Sequence, residues 1–190
     1  VIELYQTYEE KYGNVCEFCV EKMKVSYDPT EVKNLIERWE KHDMERLFPR
    51  GDMELYQLLM QHKLYKETLR CIAVMEKAEP LSVERLQIKA RALLAAKQEI
   101  EALEAYKTLF EKDMHSGEVV YYILALSENN KRKVPDPVLQ YAKLSKQAEL
   151  LGLAAAYEAV NGSMDEANEL FVKALLRTKR NDTFIYGRYL

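Results

Sequence analysis

Apolar residues recur at helical spacing along nearly the whole chain, and no long stretch alternates as a strand would. This pattern predicts two helices within residues 2–23. A third helix has the clearest beginning, because Asp28 is a suitable cap, Pro29 fits the first turn and Glu31 completes a capping-box pattern. The run Leu47–Gly51 then interrupts the pattern, so we expect an N-terminal helical segment over residues 1–48 that packs on a second region, 49–190.

The second region repeats itself. Glu67, Glu101 and Glu166 each follow a short turn and precede a small residue or a threonine. The spacing of the first two matches the period of about 34 residues that is typical of repeated helix pairs. Glu166 lies close to two further periods beyond Glu101. Paired amphipathic helices at this spacing cannot bury their apolar faces singly, so the pattern predicts hairpins of helices that lie side by side.

One repeat is irregular. Its first helix is predicted through Val120–Leu126, but a polar loop over residues 129–137 replaces the usual tight turn. Asp136 and Pro137 can open a delayed, shortened second helix. The third of the four units is therefore predicted to be degenerate.

The small and aromatic positions of these units resemble the tetratricopeptide repeat over about residues 51–180. The residues that carry the resemblance are Tyr56, Thr68, Met75 and Pro80 in the first unit, Ala90, Ala102 and Tyr106 in the second, and Ala155, Ala167, Phe171 and Ala174 in the last. Leu109 departs from the pattern. The resemblance implies an all-α fold, a right-handed superhelix of antiparallel helix pairs known as an α-solenoid.

Composition supports this class and limits the partners. Glycine and proline number only 6 and 5 of 190 residues, too few for the many turns of a sheet protein. The formal charge of −3 argues against direct binding to nucleic acid. No apolar run is long enough for a membrane span, and three cysteines indicate a reducing, cytoplasmic location. Because the chain starts at Val1 and ends in the apolar, aromatic run 183–190, we expect a fragment of a longer chain.

Candidate chemistry is sparse. Cys16 and Cys19 have a spacing found in zinc and redox sites, but no second ligand pair follows, so packing is the favoured interpretation. Acidic pairs lie among lysines or at helix starts, as solvated residues do. The basic run Lys131–Lys133 is either a solvated loop, which we favour, or a contact for an acidic partner. We therefore predict a protein without enzymatic activity, metal or cofactor.

In tetratricopeptide arrays the first helix of each pair lines the concave groove, which identifies candidate binding residues here. Their mixture of amide, cationic and adaptable apolar side chains would suit a peptide. They are Met53, Gln57, Met60, Gln61, Gln87, Arg91 and Tyr121. Chaperone-binding members of the family carry a lysine and asparagine clamp where this chain has Met53 and Gln57, so that specialised function is not supported.

The leading hypothesis is a scaffold or adaptor that presents a helical groove to a protein or peptide partner. A second hypothesis is the sensory or dimerisation domain of a peptide-responsive bacterial transcription regulator. A third hypothesis is a structural subunit of a larger assembly. Each of these hypotheses is compatible with homo-oligomers.

Overall fold

The computed structural model describes residues 25–26, 28–40, 52–78, 80–112, 114–178, 185 and 187. The helices predicted within residues 2–23, the Cys16–Cys19 pair and the break at 47–51 lie outside these ranges. Within them, the helices are α1 (Pro29–Glu40), α2 (Asp52–Gln61), α3 (Tyr65–Ala78), α4 (Val83–Ala95), α5 (Glu99–Glu111), α6 (Gly117–Asn129), α7 (Asp136–Leu144), α8 (Ala148–Asn161) and α9 (Met164–Arg177). No strand occurs in the described ranges, and no helix there is long and apolar enough to cross a membrane.

Helix α1 begins as the sequence predicts, except for one bond. The Asp28 carboxylate accepts a hydrogen bond from the Thr30 N–H at 2.9 Å, which caps the first turn. Glu31 does not return to the Asp28 N–H as a capping box requires, because the Ser26 hydroxyl donates to Glu31 Oε2 at 2.6 Å and itself accepts from Asp28 N. The Ser26 hydroxyl thus accepts the hydrogen bond from the Asp28 N–H that Glu31 would accept in a capping box.

The chain forms two compact units, residues 1–97 and 98–190. In the first unit, α2 contacts both α3 and α4, and α3 contacts α4. In the second unit, α6 contacts α5, α7 and α8, while α8 also contacts α7 and α9. In both units a first helix therefore lies against its own partner and against the next first helix, the neighbour relation expected of stacked helix pairs. The division at residue 48 stays a prediction.

The predicted repeat register holds in the structure. Glu67, Glu101 and Glu166 are each the third residue of a second helix, in α3, α5 and α9 respectively. The residues that carry the resemblance in the small and aromatic columns are buried, apart from Pro80 at the end of the first unit. The delayed second helix of the degenerate unit is also confirmed, since α7 begins at Asp136 and spans only 9 residues.

The first three turns between paired helices share a feature that is not evident from the sequence. Lys63, Lys97 and Lys131 follow one another at the same interval that separates Glu67 from Glu101, and each has positive φ, at 59°, 61° and 51°. This left-handed conformation lets the backbone turn back on the helix end, as when the Leu64 N–H donates to the Leu59 carbonyl at 2.9 Å. Glycine normally occupies such positions, because a Cβ is strained there.

Replacement of Lys63 by glycine is expected to stabilise the protein by about 0.5 kcal/mol, because relief of the left-handed strain exceeds the added chain entropy of glycine. The matched control is Lys173→Gly at an exposed position inside α9, which should cost about 1 kcal/mol of helix propensity. Urea denaturation of both variants measures the two effects. Equal losses of stability in the two variants would contradict the role assigned to the turn.

Candidate functional site

The residues predicted to line a groove lie on first helices, as expected. Six of them belong to the first unit, on the neighbouring helices α2 and α4, and Tyr121 belongs to α6 of the second unit. Gln57, Gln61 and Arg91 are exposed, whereas Met53, Met60, Gln87 and Tyr121 are half-buried. All seven side chains are thus at least partly accessible to solvent, and their role in binding stays a prediction.

A groove of about 760 Å³ lies within the second unit, between the C-terminal ends of the first helices α6 and α8. The irregular loop that follows α6 forms its third side. Its lining residues are Ser127, Glu128, Lys131, Arg132, Lys133, Ala156, Tyr157, Val160 and Asn161. This volume is within the range of ordinary ligand pockets.

The loop is held in place at both ends. After α6, the side-chain amide of Asn130 donates to Glu99 Oε2 at 3.0 Å and to the Leu126 carbonyl at 2.9 Å. Further along, the Val134 side chain is fully buried and its N–H donates to the Tyr157 hydroxyl of α8 at 3.3 Å. The three cations between these anchors are consequently carried on a fixed segment of backbone.

The charge at the groove is mostly positive. Lys131, Arg132 and Lys133 are exposed, and the ammonium of Lys133 lies 3.6 Å from the exposed Asp136 carboxylate. The side chains of Lys131 and Arg132 form no ion pair with any residue that the structure describes. Glu128 is the acidic residue of the lining. Two cations therefore remain available to an anionic group.

The opposite wall and the floor differ in character from the loop. Val160 on α8 is 82% exposed, so this wall presents an apolar side chain to solvent. Ser127, at the end of α6, is fully buried, and within the described part of the chain its hydroxyl has no hydrogen-bond partner. The groove thus combines a cationic rim, an apolar wall and an unsatisfied hydroxyl.

A partly buried ion network holds α8 against its neighbours. The Lys143 ammonium of α7 lies 2.6 Å from Glu158 of α8 and 2.8 Å from Glu166 of α9. Burial by itself lowers the pKa of Lys143, but hydrogen bonds and charge from the two carboxylates outweigh this effect and raise it above its usual value. Gly162 makes room for this network, because a Cβ there would overlap Glu158 Oε2.

Two other reactive side chains lie in the described residues. Cys71 is a buried thiol, and His115 lies against Phe110 with ring centroids 4.3 Å apart. No group of three or more His, Cys, Asp or Glu side chains in the described ranges is arranged to hold a metal ion. The second unit's groove combines a cavity with uncompensated charge.

The basic loop of this groove is recognisable in the sequence, where a solvated loop is the favoured prediction. Ser127, Tyr157 and Val160 were missed, because they become neighbours only when α6 packs against α8. The network of Lys143 and Glu158 was missed for the same reason, although Glu166 was recognised as an acidic residue at a helix start. The one sequence signal for the groove was a run of cations in an unusually long turn.

Comparison with known proteins supports the fold. No family model and no curated protein sequence matches the chain. A solved structure described as "MamA RS-1 ArsTM double mutant" is similar to it with a TM-score of 0.60 at 13% identity, over 96% of this chain and 97% of that one. MamA contains tetratricopeptide repeats. The predicted class, an all-α fold of repeated helix pairs like that of tetratricopeptide proteins, is therefore confirmed.

Substitution of Lys143 by methionine is expected to lower the free energy of unfolding by about 3 kcal/mol, because it leaves the buried Glu158 carboxylate without its cation. Adding Glu158→Gln should recover part of that loss. Lys173→Met is the control, since it breaks only an exposed pair with Glu169 and should cost less than about 0.5 kcal/mol. Similar losses for Lys143→Met and Lys173→Met, measured in urea, would show that the network contributes nothing.

The stabilisation by Lys143 should be lost at high pH. A raised pKa in the folded state means that the contribution is complete below the pKa of an unfolded lysine and declines as pH rises through the folded value. The stability difference between the wild-type protein and Lys143→Met should thus be constant around neutral pH and shrink as the solution becomes strongly alkaline. A difference that disappears between neutral pH and mildly alkaline pH would contradict this assignment.

Proposed function

We propose that the protein is a non-catalytic scaffold or adaptor that binds a protein or peptide partner along the first helices of its pairs. The observation that supports this most directly is the open groove between the successive first helices α6 and α8. A partner segment laid there would contact side chains from two helices and one loop at once. Such shared recognition is typical of helical-repeat proteins, whose stacked units create extended binding surfaces.

The first unit offers a candidate binding surface of its own. Gln57, Gln61 and Arg91 are exposed on α2 and α4 and can hydrogen-bond a peptide backbone, while Met53 and Met60 supply adaptable apolar contacts. Gln87 completes this set on α4, and Tyr121 is the candidate residue on α6 of the second unit. A fold shared with a protein that contains tetratricopeptide repeats is consistent with partner binding of this kind.

The regulator and assembly-subunit hypotheses, the cytoplasmic location and the capacity to form homo-oligomers stay predictions. Each of them concerns a partner, a compartment or a further segment of chain. The regulator hypothesis makes the narrowest claim, because it requires a helix-turn-helix DNA-binding module upstream of Val1.

Arg91→Glu and Tyr121→Ala should each weaken partner binding about tenfold, since cationic and aromatic side chains dominate most protein interfaces. The partner is first identified by co-purification with the intact protein and mass spectrometry, and affinities are then measured by calorimetry. Lys66→Glu is the matched control for Arg91→Glu, as an exposed lysine on the second helix α3 given the same change of charge. Unchanged affinity in both groove variants, with unchanged melting temperatures, would remove the first-helix surface from the proposal.

A further inference from the structure

We propose that the groove between α6 and α8 binds a short acidic peptide segment with an apolar side chain, whose carboxylates contact Lys131 and Arg132 and whose apolar group covers Val160. This inference rests on the proposed function and specifies the chemistry of its partner. Its basis is the coincidence of three unsatisfied features around one cavity.

The first feature is uncompensated positive charge at a fixed position. Lys131 is held in the left-handed conformation, with φ at 51°, and the Arg132 N–H donates to the Ser127 carbonyl at 2.8 Å. These backbone constraints place the two side chains beside the cavity, where neither forms an ion pair with a described residue. A carboxylate is the natural partner, because charge-assisted hydrogen bonds to a guanidinium are among the strongest polar contacts in proteins.

The second feature is the apolar wall. Val160 is 82% exposed on the last turn of α8, beside Ala156 and Tyr157 of the same lining. Leaving this side chain in water forgoes the free energy of its burial. An apolar side chain that follows an acidic residue in a bound peptide would cover Val160 while the carboxylate stays at the loop.

The third feature is the hydroxyl of Ser127. A buried serine on a helix usually donates back to a carbonyl of the preceding turn, but Ser127 makes no such bond with any described residue. An unpaired buried polar atom costs stability. Because the Ser127 hydroxyl is fully buried, a bound segment would reach it by displacing the atoms that cover it, and a backbone carbonyl of the segment would then accept the bond.

The shape and the charge favour a peptide over a nucleic acid. The cations are confined to one loop beside a cavity of about 760 Å³, and Glu128 belongs to the same lining. Binding to a phosphate backbone requires many cations spread along an extended surface. The groove instead offers one cationic cluster, one apolar contact and one hydroxyl, which suits a few consecutive residues of an acidic peptide.

Fluorescence anisotropy with the full chain tests this inference. The probe is a short fluorescein-labelled glycine–serine peptide that carries several aspartates around one leucine. Matched peptides replace the aspartates by asparagine or the leucine by serine. The aspartate–leucine peptide should bind at least about tenfold more tightly than the asparagine version, and its affinity should fall with added salt.

Variants of the protein locate the contact. Arg132→Glu should weaken binding of the aspartate–leucine peptide at least about tenfold, whereas Lys173→Glu, the same change of charge at an exposed site outside the groove, should leave it unchanged. Val160→Ser should weaken binding of the leucine peptide but not of the serine peptide. Ser127→Ala should weaken binding about threefold without lowering the melting temperature, because it removes an unsatisfied hydroxyl.

Several results would overturn the inference: no binding of the aspartate–leucine peptide by the wild-type protein, equal binding of the asparagine peptide, or insensitivity to Arg132→Glu. Competition by a single-stranded RNA of matched length at equal affinity would assign the loop to nucleic acid instead. The proposed function is tested separately, with the co-purified partner. If that partner binds the wild-type protein and Arg132→Glu equally well, the acidic-peptide inference fails while the scaffold proposal stands.

Discussion

The packing of short helices against their neighbours within each unit is the interaction on which the fold depends. Helices of 10 to 14 residues are marginal in water by themselves, so they persist only where neighbours cover their apolar faces. Tyr56, Ala90 and Leu124 occupy the same position in three successive repeats, and all are buried although they differ greatly in size. The same position is therefore buried in each of these repeats, although the residue that occupies it changes.

The fourth helix pair, α8 and α9, differs from the earlier pairs in the residues that form and stabilise its turn. The preceding turns use a lysine in the left-handed conformation, but the turn between α8 and α9 has Gly162, which follows Lys131 by slightly less than one period. There the Lys143 ammonium joins carboxylates of α8 and α9, and so links the short α7 to both helices of the last pair. A buried ion pair adds little net stability compared with apolar packing, but it penalises every register in which the partners are separated.

Local signals made much of the fold predictable, and the groove was predictable only in part. The cap at Asp28, the helix starts before Glu67, Glu101 and Glu166, and the delayed start at Asp136 all depend on residues close in sequence. The left-handed lysines were not predictable, because lysine rarely adopts positive φ, whereas glycine does so readily. Lys131–Lys133 looks the same in sequence whether the loop is solvated or borders a groove. The difference comes from Val160 and Tyr157, which belong to the next first helix along the chain.

The irregular loop also shows how a repeat can acquire a candidate binding site and still keep its contacts with the adjacent helices. Because α7 starts late, residues 132–135 lie outside any helix, yet Val134 is buried and its N–H is bound to Tyr157. The loop therefore exposes charged side chains while its backbone stays attached to α8. A regular tight turn would have no room for three adjacent cations beside the first helices.

The environment of Gly162 affects how a mutational scan of this protein would be interpreted. It is exposed to solvent and directly follows Asn161 of the groove lining, so a map of tolerated substitutions that marked it as intolerant would suggest a ligand contact. The intolerance would instead arise from Glu158, because a Cβ at Gly162 overlaps Glu158 Oε2 and forces a shift of the carboxylate whose other oxygen pairs with Lys143. Alanine would already require this shift, so a cost that begins at alanine would separate steric exclusion from recognition.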